Sequence, residues 1–186
     1  YYEAAYRFGR LVASHTKHCV HLAERLFICT GGGPGVMEAA NRGAFDEHMP
    51  TLGLNIELPH EQEGNRFANV PIHFHYFFAR KVCFAKYSVA FIFMPGGFGT
   101  LDEFSEIATL VQTQRIPAFP LILFGKKFWT GGLRWMRDQM QVENKFIGPG
   151  DLKLFTVTDD PHEAVRVIMD YLQRVGPPDR VPMAFS

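Results

Sequence analysis

Two glycine-rich turns, each directly after a short apolar run, constrain this chain more than any other feature. The first is GGGPG at 31–35, after the run 25–30, and the second is PGGFGT at 95–100, after the run 89–94. A turn that leads from a strand into a helix exposes backbone N–H groups where the helix dipole favours negative charge. Glycine also lets a ligand approach the backbone without an intervening Cβ. The two turns therefore predict an α/β fold with a phosphate-bearing ligand.

Strand and helix patterns alternate along the whole sequence. The predicted helices are 1–22, 34–49, 74–86, 101–114, 127–140 and 161–174. The predicted strands are 25–30, 51–56, 89–94, 119–124 and 154–157, and 58–70 is predicted to be a loop. Apolar strands separated by amphipathic helices are typical of a doubly wound, mostly parallel, Rossmann-like sheet. Ligands bind such sheets at the carboxyl ends of the strands, where both glycine turns lie.

The length of 186 residues favours a single domain, which we predict over residues 1–175, with a proline-rich tail at 176–186. The first helix, 1–22, is predicted to be amphipathic, because five apolar residues fall near one face: Ala5, Phe8, Leu11, Val12 and Leu22. An α/β sheet usually opens with a strand, so the sequence also raises the expectation of a strand before residue 1.

The amino-acid composition bears on whether the protein binds nucleic acid or a membrane, and on the cellular compartment in which it works. Lys plus Arg and Asp plus Glu both number 19, so no overall basic field attracts nucleic acid or anionic lipid. No apolar run approaches the roughly 18 residues of a membrane span. Three scattered cysteines without a CxxC motif are typical of reduced thiols. These features predict a cytoplasmic protein that binds neither nucleic acid nor membrane.

The glycine turns do not match the common nucleotide motifs. The first turn lacks the last glycine of GxGxxG, and no GxxxxGK[ST] is present. The pattern therefore favours a single phosphate, as in a nucleoside monophosphate. At the second turn two interpretations stay open for Thr100 and Glu103. They form a capping box, or Thr100 donates to a bound phosphate while Glu103 activates water or stabilises a cationic sugar. Glu106 is either a second acid or simply solvated.

Several other polar and aromatic residues can be interpreted either as functional or as purely structural. Arg80 and Lys81 are either a surface pair on a helix or a phosphate-binding pair. The histidines at 15, 18, 21, 73 and 75 lack a convincing third metal ligand, so no metal site is predicted. The aromatic residues of 74–84 are predicted to form core or a subunit interface rather than a platform on which a base stacks. Trp129 and Trp135 are predicted to be core residues on a helix face.

The order of these segments resembles the LONELY GUY (LOG) family, also called lysine decarboxylase-like. The matching residues are GGGPGVMEAAN at 31–41, Arg80 with Lys81, and the complete PGGxGTxxE signature from Pro95 to Glu103. The resemblance implies a Rossmann-like fold, a homodimer or larger homo-oligomer, and hydrolysis of the N-glycosidic bond of a nucleoside 5′-monophosphate, such as AMP or a cytokinin riboside monophosphate. It implies no metal and no cofactor.

The resemblance also assigns site residues. Arg80 and Glu103 take the catalytic positions. The substrate- and phosphate-binding positions are Gly33, Gly35, Met37, Lys81, Pro95, Gly96, Gly97, Gly99 and Thr100. Residues 57–78 resemble a larger bacterial branch of the family, so the resemblance assigns neither a base preference nor a substrate contact of Glu61.

Two other functions compete with the hydrolase. A non-catalytic nucleotide-binding module can use the same fold. The decarboxylase of the family label would need a pyridoxal-binding lysine with partners for the cofactor, and Lys81, Lys86 and Lys126 have no recognisable setting of that kind.

Overall fold

The structure is a computed structural model that describes residues 1–19, 26–57 and 64–176. Within these residues the chain forms two compact units, residues 1–84 with the last helix and residues 85–160. The predicted strand 25–30 begins at Ile28, and Leu22, Glu61 and most of the tail lie outside the described residues. The predicted division into a domain at 1–175 and a tail at 176–186 stays a prediction.

The first unit contains a three-stranded parallel sheet. Its strands are β1 (Ile28–Thr30), β2 (Thr51–Ile56) and β3 (Val70–Phe74), in the order β1-β2-β3. The helices of this unit are α1 (Tyr2–Lys17), α2 (Val36–Asp46), α6 (Pro161–Val175) and most of α3 (Phe77–Tyr87). Each strand-to-strand connection in this sheet joins parallel neighbours, as predicted for an α/β fold.

Strand β3 corrects the sequence analysis, which placed 58–70 in a loop and began a helix at Phe74. Val70, Pro71, Ile72 and His73 are all exposed, so the strand lacks the apolar pattern that identifies a buried one. Pro71 lies inside the strand, which is tolerated because β3 is at an edge of its sheet. Pairing with β2 forms this strand, and the helix begins only at Phe77.

Helices α1 and α2 pack closely through small residues. A Cβ on Gly9 would collide with the carbonyl oxygen of Ala40, and one on Gly43 with that of Tyr6. On the predicted apolar face of α1, Ala5 and Val12 are buried, whereas Phe8 and Leu11 are half-buried. The contact face of α1 thus depends on small side chains that allow two helix backbones to approach each other.

The second unit contains a second parallel sheet, in the order β4 (Phe91–Phe93), β5 (Leu121–Phe124) and β6 (Phe155–Thr158). It also contains α4 (Phe98–Gln112) and α5 (Lys126–Trp135), which continues into a π-helix at Met136–Glu143. A short 3₁₀ helix, Asp151–Leu154, precedes β6. No helix among the described residues is long and apolar enough to span a bilayer.

An aromatic cluster forms the core of the second unit. The ring of Phe104 lies 5.5 Å from Phe93 and 5.3 Å from Trp129, between ring centroids. The Trp129 indole N–H donates to the carbonyl oxygens of Phe93 and Phe124, both at 3.1 Å, so its polar atom is satisfied. Trp129 is a core residue as predicted, whereas the prediction for Trp135 is wrong because its side chain is 58% exposed.

Candidate functional site

The first glycine turn follows β1 and has a backbone that requires glycine. Gly32 has φ +74° and Gly35 has φ +72°, values that side chains with a Cβ rarely adopt. A Cβ on Gly32 would also collide with the side-chain amide of Asn55. Helix α2 starts at Val36 with Gly35 as its N-cap, so the expectation that Pro34 is the first helical residue is wrong.

A network of buried polar side chains is hydrogen-bonded to this turn. Asn41 on α2 and Thr51 on β2 are both fully buried and are hydrogen-bonded to each other. The Thr30 hydroxyl donates to Asn41 Oδ1 at 2.6 Å and accepts from the Gly32 N–H at 3.1 Å. The network therefore connects strand, turn and helix through fully paired polar groups.

Asn65 holds the other side of the turn. Its backbone N–H donates to the Gly32 carbonyl at 2.8 Å, and its side-chain NH₂ donates to the Gly33 carbonyl at 3.2 Å and to Asn41 Oδ1 at 3.1 Å. Sequence analysis assigned no role to Asn65 or Asn41. Asn41 stands within the motif 31–41, but no local pattern identifies Asn65 as its partner.

Two predicted site residues from helices, Met37 and Arg80, lie beside this turn. The side chains of Met37 and Arg80 flank Gly31, since a Cβ placed there would be 3.0 Å from Met37 Sδ and 3.7 Å from Arg80 Nη1. A Cβ on Gly33 would be 2.6 Å from Met37 Cε. The structure thus places Arg80 of α3 beside the first glycine turn, although in the sequence Arg80 is nearer to the second glycine turn.

The Arg80 guanidinium is held between aromatic rings. It lies 5.4 Å from the centroid of Phe77 and 5.9 Å from that of Phe84, both within cation–π distance. The side chain is half-buried, as is that of the neighbouring Lys81. Contact with the two rings restricts the plane of the guanidinium, and its N–H donors lie at the edge of that plane, beside the glycine turn.

The second glycine turn leads directly into α4. Gly97 is the N-cap, with φ −93°, and the first helical hydrogen bond runs from Leu101 N–H to Gly97 O at 3.2 Å. The N–H groups of Phe98, Gly99 and Thr100 precede that bond and lie in the first turn of the helix. The turn therefore carries a row of backbone donors at the positive end of a helix dipole.

The capping-box interpretation of Thr100 and Glu103 is wrong. Because α4 begins at Phe98, Thr100 is the third helical residue and cannot be the N-cap. Glu103 follows Thr100 by three residues on the same helix, so both side chains lie along one face. Glu103 is half-buried.

The glycines of this second turn differ in what surrounds them. A Cβ on Gly96 would collide with the Thr100 hydroxyl, so glycine there lets Thr100 fold over the turn. Gly97 and Gly99 have ordinary backbone angles, and among the described residues a Cβ on either would meet nothing within 4 Å. Packing among the described residues therefore does not require glycine at either position.

The predicted residues thus fall into two groups. Gly33, Gly35, Met37, Arg80 and Lys81 belong to the first unit. The second unit contains Pro95, Gly96, Gly97, Gly99, Thr100 and Glu103. Each group contains one glycine turn, and the assignment of both groups to a substrate site stays a prediction.

The described histidines and the aromatic stretch 74–84, which the sequence analysis also considered, can be located in the structure. His75 Nδ1 lies 2.7 Å from Glu57 Oε2 on the surface. Within residues 1–19, 26–57 and 64–176, no three His, Cys, Asp or Glu side chains gather as metal ligands. Tyr76, Phe77 and Phe78 are exposed, so the core alternative for this aromatic stretch is wrong at these positions.

Comparison with known proteins identifies relatives over most of the sequence. Residues 37–168 match the family described as "Possible lysine decarboxylase". Cytokinin riboside 5′-monophosphate phosphoribohydrolase LOG1 of Arabidopsis thaliana is 29% identical over 150 residues, which are 77% of this chain and 67% of that protein. Probable phosphoribohydrolase LOG4 of Oryza sativa subsp. japonica is 31% identical over 137 residues, 72% of this chain and 57% of that protein.

Solved structures share the fold. The molybdenum cofactor carrier protein of Chlamydomonas reinhardtii superposes with a TM-score of 0.61 and 19% identity, over 91% of this chain and 86% of that one. The protein TM1055 superposes with a TM-score of 0.62 and 20% identity, over 89% and 85%. At this identity the likeness concerns the fold alone, and it confirms the predicted Rossmann-like α/β class.

Proposed function

Because this chain belongs to the lysine decarboxylase-like (LOG) family, we propose that it hydrolyses the N-glycosidic bond of a nucleoside 5′-monophosphate. The products are the free base and ribose 5-phosphate, and AMP or a cytokinin riboside monophosphate is the class of substrate. The observation that carries the proposal is the second glycine turn, ahead of Glu103, where a Cβ on Gly97 or Gly99 would meet no described residue within 4 Å.

The phosphate is proposed to bind at the start of α4. A dianion there accepts hydrogen bonds from the N–H groups of Phe98, Gly99 and Thr100, and the helix dipole adds to the attraction. The Thr100 hydroxyl, folded over Gly96, supplies a further donor. Binding energy from the phosphate then positions the ribose and lowers the barrier at the reacting carbon.

Glu103 is proposed as the catalytic carboxylate. Departure of the base leaves an oxocarbenium-like ribose, whose positive charge a nearby carboxylate stabilises. The same carboxylate can accept the proton of the attacking water. The position of Glu103, one helical turn beyond the proposed phosphate donors, favours this role over a purely structural one.

Arg80 is proposed to bind substrate through its guanidinium, with Lys81 adding a second positive charge. The support is the position of Arg80 beside the first glycine turn, where Phe77 and Phe84 fix its orientation. An arginine fork suits a phosphate or the edge of a base because it donates two parallel hydrogen bonds.

A homodimer in a reducing, cytoplasmic environment completes the proposal. Tyr76, Phe77 and Phe78 are 60%, 52% and 66% exposed, an aromatic surface of the kind that interfaces cover. Cys19, Cys29 and Cys83 are free thiols. Sedimentation at micromolar concentration is expected to give a species of twice the 21.1 kDa chain mass, and a purely monomeric profile would exclude the dimer.

The test is hydrolysis of a panel of nucleoside 5′-monophosphates by the full chain, followed through release of ribose 5-phosphate. Adenosine serves as the matched substrate without phosphate. We expect kcat/KM for AMP to exceed that for adenosine by at least about a hundredfold, since remote phosphate binding supplies transition-state stabilisation. Equal values for the two would contradict the proposed phosphate site.

Glu103→Gln separates catalysis from binding, and Asp102→Asn is the control on the same helix. We expect Glu103→Gln to lower kcat by about two orders of magnitude or more while Tm changes little. Asp102→Asn should leave kcat unchanged. A fully active Glu103→Gln variant would favour a non-catalytic nucleotide-binding module, the alternative function for this fold.

A further inference from the structure

The contacts of Asn65 with the first glycine turn determine which way a backbone donor of that turn faces. The Gly32 carbonyl points at the Asn65 backbone N–H, 2.8 Å away. The described chain has no cis peptide bond, and in a trans peptide the C=O and the following N–H point in opposite directions. The N–H of Gly33 therefore faces away from Asn65.

The second contact holds the next peptide. Asn65 Nδ2 donates to the Gly33 carbonyl at 3.2 Å. That peptide joins Gly33 to Pro34, which has no N–H. Fixing its carbonyl therefore orients the turn but does not determine the direction of any backbone N–H. Asn65 thus binds two consecutive carbonyls on one side of the turn and leaves the Gly33 N–H on the other.

The orientation of the Asn65 amide is itself determined. Its Oδ1 accepts from the N–H groups of Phe67 at 3.2 Å and Ala68 at 3.0 Å. Its NH₂ donates to Gly33 O and to Oδ1 of Asn41, a residue that is fully buried. A rotated amide would face donors with its NH₂ and acceptors with its oxygen, so one orientation satisfies all four contacts.

The segment that carries Asn65 is also fixed on α2. The Phe67 ring lies 5.7 Å from the Arg42 guanidinium and 4.9 Å from that of Arg66, and it makes an edge-to-face contact with Phe45 at 5.8 Å. These contacts are on the protein surface, next to the turn. They hold the Asn65 backbone in register with Gly32.

We propose that Asn65 is a positioning residue, which orients the Gly33 N–H toward an acceptor atom of the bound nucleotide. The inference rests on the proposed function, because it takes the first turn to be part of the nucleotide site. Asn65 acts through the backbone and makes no contact with the substrate. Nucleotide affinity would then depend on Asn65, although Asn65 lies outside both glycine motifs.

Asn65→Asp tests the proposal, with Asn69→Asp as the matched control. The introduced carboxylate still accepts from Phe67 and Ala68 but cannot donate to Gly33 O. Asn69 belongs to the same segment and accepts from the Thr51 N–H through Oδ1, a bond that a carboxylate keeps. Both variants add one negative charge to the same unit, so that a difference between them reports the lost donor.

The readout is the dissociation constant for AMP, measured by calorimetry in the Glu103→Gln background so that turnover does not interfere. We expect Asn65→Asp to weaken AMP binding at least about tenfold relative to Asn69→Asp, well below the melting temperature of both. Affinities within a factor of about two at neutral pH would overturn the proposal.

Asn65→Ser carries the test if Asn65→Asp does not fold, since serine keeps a short acceptor for the Ala68 N–H but does not reach Gly33 O. Failure of both variants to fold would contradict the proposal, because Asn65 would then be required for the fold itself. Hydrolysis by the otherwise unaltered chain reports separately on the proposed function. AMP binding without hydrolysis would reject the hydrolase and leave the role of Asn65 open to the same affinity comparison.

Discussion

The two glycine turns look alike in sequence but are glycine-rich for different reasons. In the first turn Gly32 and Gly35 have positive φ, and Asn65 and Thr30 occupy backbone groups of the turn. In the second turn Gly97 and Gly99 have neither a positive φ nor a neighbour among the described residues that a Cβ would meet. The backbone conformation of the first turn explains its glycines. The glycines of the second turn have no such explanation and leave space beside the backbone for a ligand.

This difference teaches where a ligand contact can be inferred from a glycine. A glycine that the backbone itself demands says little about function, because strain alone explains it. A glycine without such a demand, at a helix N-terminus, leaves space for a ligand to approach the backbone N–H groups. The second turn therefore gives the stronger support for a bound phosphate, and the following substitutions test that contrast.

The largest expected effect is at Gly99. Gly99→Ala places a methyl group beside the first-turn N–H groups of α4, and we expect kcat/KM for AMP to fall about a hundredfold because the phosphate is displaced. Alanine is the better helix former, so the free energy of unfolding should stay the same or rise by up to about 1 kcal/mol. Steady-state kinetics and urea unfolding measure the two quantities.

Gly131→Ala is the matched control for Gly99→Ala. Gly131 lies within α5, and a Cβ there also meets nothing within 4 Å among the described residues. The same gain in stability is expected, with kcat/KM unchanged. If Gly99→Ala is as active as Gly131→Ala, the phosphate does not approach α4 at this position.

The second expected effect is on stability at the first turn. Gly35→Ala should lower the free energy of unfolding by about 1–3 kcal/mol through backbone strain alone. Gly32→Ala should lower it by about 1 kcal/mol more, because its Cβ also collides with the Asn55 side chain. Urea unfolding of both variants gives the values, and an unaffected Gly32→Ala protein would remove the distinction between the two turns.

The smallest expected effect is that of Arg80→Lys. Lysine keeps the charge but loses the planar fork and its stacking on Phe77 and Phe84, so we expect kcat/KM for AMP to fall about tenfold. Arg134→Lys, on the exposed face of α5, is the control and should have no effect. An Arg80→Lys variant with unaltered kinetics would separate the first turn from the substrate site.

Local sequence patterns predicted most elements but failed where a neighbour decides the structure. Strand β2 was predicted with its observed bounds, Thr51–Ile56, because its residues carry the strand pattern themselves. Strand β3 was missed because its residues are exposed and include Pro71, and only pairing with β2 makes it a strand.

The two tryptophans show the same limit for burial. Both lie on α5, but Trp129 is buried against Phe104 and bound to two carbonyls, whereas Trp135 is 58% exposed. Residue type and helical spacing alone gave the two the same prediction. Packing distinguishes them because only Trp129 faces the aromatic cluster of its unit.

The sequence by itself determined the order of the elements other than β3, both glycine turns and the Pro95–Glu103 signature, since these depend on residues that are close together in the chain. Only the tertiary structure decided that Arg80 lies beside Gly31 and that α4 begins early enough to exclude Thr100 as its cap. It also joined Asn65 to Gly33 across 32 positions. Contacts between distant segments depend on how strands and helices pack, and that information is spread over the whole chain.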